Sequence, residues 1–117
     1  MIHSITIKNP GFEDIKNGFK KIEGRLNKGD FSQMKKGDCI VFINNDFEFQ
    51  RSFTCKITSI HNYDTFKTYL ENETLEKCLP GIDTITQGIS IYYKYYKKED
   101  EKKYKIKAFR LKLIKNK

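Results

Sequence analysis

Apolar and polar positions along the chain follow two short periods, and the places where the period changes outline the fold. Ile2–Lys8 ("IHSITIK") alternates weakly, with Ile2, Ser4 and Thr6 against His3, Ile5 and Ile7, which predicts a short strand. "NPGF" breaks it. Phe12, Ile15 and Phe19 then recur at helical spacing and predict two helical turns with all three on one face. Gly18 fits a left-handed residue that ends this helix. "KKIEGRL", Lys20–Leu26, follows as a strand. "KKGD" is a turn before the β-branched and aromatic strand "CIVFIN", and "NND" is the next turn. "FEFQRSFTCKITSI" reads as a long strand with Phe53, Cys55 and Ile57 on one face.

The middle of the chain changes to a helical period. Asn62 or Asp64 is placed to cap a helix with Phe66, Tyr69 and Leu70 on its apolar face. "TLEKCL" is a second short helix, stopped by Pro80-Gly81. "TITQ", Thr84–Gln87, matches a capping box. After it Ile85, Ile89, Tyr92 and Tyr96 share one helical face, so helix is preferred over strand for "ISIYYKYY" despite its β propensity. "KKEDEKK" reads as a charged turn and "YKIKAFRLKLI" as the last strand. That strand has a break in phase: Ile106 and Ala108 share one face, and Phe109, Leu111 and Leu113 the other. A bulge near Ala108–Phe109 would turn both sets inward and leave Lys105, Lys107, Arg110 and Lys112 outward. Lys20–Leu26, Asp38–Asn44, Arg51–Ile60 and Tyr104–Ile114 are expected in one curved, largely antiparallel sheet. The predicted class is α+β, a small antiparallel β-barrel with flanking helices and a single domain over residues 1–117.

Charge adds one asymmetry. Residues 1–93 carry 12 Lys and Arg against 12 Asp and Glu, while residues 94–117 carry 11 against 3, so the last segment supplies the whole net charge of +8. A field from one segment can steer an anion to one surface; the plainer reading is a solubilising tail. Cys39, Cys55 and Cys78 are odd in number and widely spaced, which fits buried free thiols in a reducing compartment. His3 and His61 lack partners at metal spacing, so neither a metal nor a cofactor is expected. No apolar run approaches a membrane span and no leader pattern opens the chain, so an intracellular protein without a membrane partner is expected.

Four segments, "GFKKIEGRL", "MKKGDCIVFIN", "SIHNYDTFKTYLENETLEKCLPG" and "IYYKYYKKEDEKKYKIKAFRLKLI", occur in an order that resembles the ASCH domain family, a branch of the PUA-like superfamily. The resemblance runs from about Ile15 to Ile114 and includes the spacing Gly-x-Lys-x-x-Glu-x-Arg at Gly18, Lys20, Glu23 and Arg25. It implies a β-barrel with flanking helices, a cleft lined by that motif, and an association with RNA. One branch of the family hydrolyses acetylated cytidine with a threonine nucleophile at the position that Glu23 holds here. With glutamate there, this chain looks closer to the activating-signal-cointegrator type.

Three groups of residues are the candidates for function. On a strand Glu23 and Arg25 share a face, and Lys20 joins them only from a turn before the strand. These three are the expected ligand-binding residues of a cleft, and Lys20 and Glu23 the catalytic pair if the protein is an enzyme acting on a modified pyrimidine nucleoside or on RNA. The bland alternative is an exposed ion pair that contributes little. In "YYKYYKK", Tyr92 and Tyr96 read as core, whereas Tyr93 and Tyr95 lie off the stripe and are expected to contact ligand. Lys94, Lys97, Lys98, Lys105, Lys107, Arg110 and Lys112 are the expected nucleic-acid contacts, with a solvated face as the alternative. The expected partner is RNA or a nucleotide-like ligand, bound by a monomer.

Overall fold

The structure, a computed structural model, describes residues 1–114; Lys115 and Lys117 of the basic segment lie outside the described residues. Five strands form one sheet in the order β1-β3-β4-β5-β2, with β1 Ile2–Thr6, β2 Ile22–Leu26, β3 Cys39–Asn44, β4 Arg51–Tyr63 and β5 Ile106–Ile114. Only the β1–β3 pairing is parallel. The four segments expected in one sheet all belong to it. The sheet curls into a half-barrel of PUA-like form with β1 and β2 as its free edges. The helices are α1 Gly11–Lys16, α2 Asp30–Gln33, α3 Phe66–Glu73, α4 Leu75–Cys78, α5 Ile85–Tyr95 and α6 Lys98–Tyr104.

Two cores lie on opposite faces of β5. Ile7, Phe12, Ile15, Met34, Ile40, Phe42, Cys55, Ile57 and Phe109 fill the barrel under α1 and α2. Ile22, Leu26, Phe66, Tyr69, Leu70, Cys78, Tyr92, Ile106 and Ala108 form a second core beneath α3, α4 and α5. This arrangement removes the apparent phase break in the last strand. Phe109, with Leu111 and Leu113 packed beside it, faces the barrel, while Ile106 and Ala108 face the helices. Strict alternation therefore holds along β5, and the bulge expected at Ala108–Phe109 lies instead on β4, between Ile57 and Ser59. Cys55 and Ile57 before it, and Ile60 after it, all pack on the barrel core, which the extra residue makes possible.

Alternation also turns Lys107 inward, contrary to the outward position expected for it. It is 8 % exposed, and its Nζ donates to the carbonyl oxygens of Met34 (2.7 Å), Phe31 (2.9 Å) and Ser32 (3.4 Å). Burial lowers its pKa, with the charge of Asp38 opposing. Lys107 thus fastens α2, a short helix absent from the apolar pattern. Three further expectations need correction. "KKEDEKK" is not a turn but mostly α6, whose three acidic residues occupy the first turn, where the helix dipole favours them. Thr65, not Asn62 or Asp64, caps α3. Phe19 is 66 % exposed, because Gly18 ends α1 before that position. The capping box at Thr84–Gln87 and the helix it opens are as the spacing predicts.

Candidate functional site

The cleft forms where the half-barrel stays open. The end of β1 and the loop after it, Thr6–Gly11, make one wall, and Glu23–Arg25 of the other edge strand make the facing wall. Cys78–Pro80 and the last turn of α5 close the remaining side, around a volume of about 470 Å³. That is within the usual range for a small-molecule site.

The charged floor depends on how α1 ends. Gly18 takes φ +81°, a left-handed conformation open to glycine at little cost. The chain then folds back so that the N–H groups of Phe19 and Lys20 both donate to the Asp14 carbonyl at 2.9 Å. This turn brings Lys20 round to the face that Glu23 and Arg25 share. Lys20 Nζ lies 3.1 Å from Glu23 Oε1, and Arg25 Nη2 donates to Glu23 Oε2 at 3.2 Å. Lys20 Nζ also donates to the carbonyl of Cys78 at 2.9 Å, and the Arg25 guanidinium sits 4.9 Å from the centre of the Phe31 ring. Lys20 is 9 % exposed and Glu23 6 %, so this is not the exposed ion pair of the bland alternative. Burial alone would push the Glu23 carboxyl up, but the Lys20 and Arg25 charges outweigh it and hold the pKa below the ordinary value. Burial pulls Lys20 down, and Glu23 more than restores it, so the ammonium is held protonated. The same balance raises Arg25.

Gly24 lies between the two charged residues for a steric reason. A Cβ there would sit 2.3 Å from Cζ of the buried Tyr69 ring. Its backbone has a second consequence. Leu111 N–H donates to the Lys21 carbonyl, and Asn27 N–H to the Lys105 carbonyl. In an antiparallel pair these two bonds flanking β2 assign the β5-facing N–H and C=O groups within the strand to Glu23 and Arg25. The N–H and C=O of Gly24 therefore point off the free edge of the sheet, and Gly24 lines the cleft.

The tyrosines divide differently from the expectation. Tyr95 is 78 % exposed and lines the cleft, as do Tyr92 and Tyr96. Tyr92 stacks on Phe66 at 4.4 Å and Tyr96 at 5.5 Å, so both serve core and cleft. Burial raises the Tyr92 hydroxyl to about 12, with Lys20 opposing. Tyr93 is not a cleft residue: its hydroxyl donates to Glu101 at 2.6 Å and its ring meets Phe66 edge-on. The helical stripe marked Tyr92 and Tyr96 correctly as core; that they also border a cavity had no signal in the spacing. Lys8, Asn9 and Pro80 were likewise missed, since only the tertiary fold brings them to the cleft.

The basic segment is less uniform than its composition. Lys94, Lys97 and Lys112 are exposed. Lys98 is also exposed and lies over the Tyr93 ring at 5.3 Å. Lys105 pairs with Asp64 at 3.2 Å on the surface. Arg110 Nε donates to the buried Glu73 at 2.9 Å. Among the described residues there is no cluster of three side chains suited to a metal, and no helix is long and apolar enough to cross a membrane.

The ASCH domain profile matches residues 5–115. The crystal structure of the hypothetical protein PH0355 is similar to this chain at 36 % identity, covering 97 % of this chain and 100 % of that one, with a TM-score of 0.86. The solution structure of the protein PF0455 from Pyrococcus furiosus is similar at 34 % identity over 99 % and 100 % of the two chains, with a TM-score of 0.80. A mutant of ZmASCH from Zymomonas mobilis shares the fold at 15 % identity, over 93 % of this chain and 66 % of that one, with a TM-score of 0.56. No curated protein matches. With the family profile spanning almost the whole chain, and the strand, turn and charged motif in the places described, the protein belongs to the ASCH domain family.

Proposed function

We propose that the protein binds RNA and that its cleft takes a base or nucleoside-like group. The observation that carries this reading is the buried Lys20–Glu23 pair, with Arg25 half-buried beside it, at the floor of an open cleft. Burying Lys20 and Glu23 costs several kcal/mol per ion before pairing, and a fold stabilised by apolar packing alone has no need of them. Lys20 uses two of its three donors on Cys78 and Glu23, which leaves one for a ligand carbonyl. Glu23 retains lone pairs for a ligand amine, and the Gly24 backbone offers one donor and one acceptor at the strand edge. Tyr95 presents a ring face at the rim, the type of surface on which an unpaired base stacks.

Binding is favoured over hydrolysis by the Glu23 carboxyl. A general base works best with a pKa near the operating pH, and the flanking cations hold this one low. Glu23 is better suited to orient its neighbours and to accept a hydrogen bond.

The test is affinity for a short single-stranded RNA, with turnover of acetylated cytidine measured on the same preparations. Tyr95→Ala removes an exposed ring at little cost to folding. It should weaken binding about five- to a hundred-fold, the worth of one stacked base. Glu23→Gln should weaken binding moderately, since the shape remains and the cations lose their counter-charge. Wild-type affinity in both variants would sink the reading. Turnover of acetylated cytidine that Glu23→Gln abolishes would replace it with a hydrolase.

A further inference from the structure

A second concavity, about 320 Å³, lies behind the cleft wall and is lined by Lys21, Asn72, Glu73, Thr74, Lys77 and Arg110, among others. It shares that wall with the cleft. Lys20 turns into the cleft and Lys21 into the groove; Cys78 borders the cleft and Lys77 the groove. One residue ties these elements together: Lys21 N–H donates to the Lys77 carbonyl at 2.9 Å, and the Lys21 carbonyl accepts from Leu111 N–H at 2.9 Å. Three cations from β5, α4 and the entry to β2 are thereby gathered at one place.

Their charge is not cancelled locally. Glu73 is the one carboxylate lining the groove among the described residues, and it is fully buried, engaged by Arg110 and by the Tyr63 hydroxyl. Three cations against one carboxylate leave an excess of two positive charges. Arg110 uses Nε and Nη2 on Glu73, which fixes the plane of the guanidinium and leaves its other edge outward. A held guanidinium beside two flexible ammonium groups suits a phosphate oxygen. The groove also carries backbone strain. Thr74, a β-branched residue, takes φ +83° between α3 and α4, where such residues are rare.

We propose that the Lys21–Lys77–Arg110 groove holds the sugar–phosphate backbone of the RNA strand whose base occupies the cleft. The proposal rests on the cleft reading, and it assigns the strand a path: from the cleft, across the wall made by Lys20–Lys21 and Lys77–Cys78, toward Arg110. Neither Lys21 nor Lys77 stood out in the sequence, because both lie in residues 1–93, which carry no net charge.

The experiment measures binding of a short single-stranded RNA, and of free ribonucleosides, by wild type and by the exposed double variant Lys21→Ala/Lys77→Ala, across a range of salt. The control is Lys35→Ala/Lys36→Ala, which removes the same charge from a turn that lines neither cavity. Each phosphate neutralised on a single strand contributes about 0.7 to the slope of log affinity against log salt. The groove variant should therefore lose about 1.4 from that slope, keep wild-type affinity for ribonucleosides, and differ clearly from the control. A slope like wild type, or a loss no greater than the control's, overturns the proposal even if the cleft binds. If the slope falls as expected but Tyr95→Ala and Glu23→Gln are silent, the groove stands as a phosphate site and the cleft reading fails. Absence of RNA binding at low salt overturns both.

Discussion

At the scale of single residues, the cleft depends on two glycines that act in different ways. Gly18 has open space around the position of a Cβ, so its requirement is conformational alone. Gly24 has an ordinary strand conformation, and its requirement is steric, from Tyr69. Gly18→Ala should therefore cost roughly 1 kcal/mol. Gly24→Ala should cost more, about 1–3 kcal/mol or above, because Tyr69 is fully buried and has nowhere to move. Urea unfolding of the two variants checks the order, and equal costs would contradict it. The Gly18 requirement was legible in the sequence, since a glycine after a helical stripe marks a left-handed stop. The Gly24 requirement was not, because Tyr69 is distant in sequence and its approach to β2 depends on how α3 packs.

At the scale of elements, β5 shows what a periodic reading loses. Its alternation is regular, but a lysine occupies a core-facing position, and one set of apolar residues serves a second core. A pattern that assumes one core must then invent a bulge. The strands with β-branched runs, the capped helix α5 and the left-handed end of α1 were all legible, because local propensity and tertiary packing agree there. The α2 turn was not: its buried charged partner, Lys107, comes from the other end of the chain. Lys107→Met should destabilise the fold by about 1–3 kcal/mol, since carbonyl oxygens of α2 lose their donor. It should leave the salt dependence of RNA binding unchanged, which separates Lys107 from an outward lysine such as Lys112. A lowered salt slope with unchanged stability would return Lys107 to the surface set.

At the scale of the whole molecule, the carboxylates predict how stability follows pH. Glu23 is held low against its own burial by Lys20 and Arg25, and Glu73 against its burial by hydrogen bonds from Arg110 and Tyr63. Asp38 is lowered by hydrogen bonds from His3, the Lys35 N–H and the N-terminal ammonium. Groups whose folded pKa is depressed bind fewer protons than in the unfolded chain. Their stabilisation is complete above the ordinary carboxylate range, near pH 4–4.5, and is lost as pH falls through the folded values. Tm should accordingly drop steeply below about pH 4, and a flat profile there would contradict the ion-paired floor of the cleft. Lys20 acts in the opposite direction: its raised pKa keeps its contribution complete up to the ordinary lysine value and lets it go only at higher pH. The net positive charge, by contrast, says less about the binding surface than its position in the sequence implied, since Lys107 is buried and Lys105 is paired on the surface. The central claim, that RNA enters the open seam of the half-barrel, is tested most directly by mapping amide chemical-shift changes as single-stranded RNA is added. The account predicts that the largest changes fall on Lys8–Gly11, Lys20–Arg25 and the end of α5 around Tyr95. Changes confined to Lys94, Lys97, Lys98 and Lys112, with the cleft amides unmoved at saturation, would contradict it.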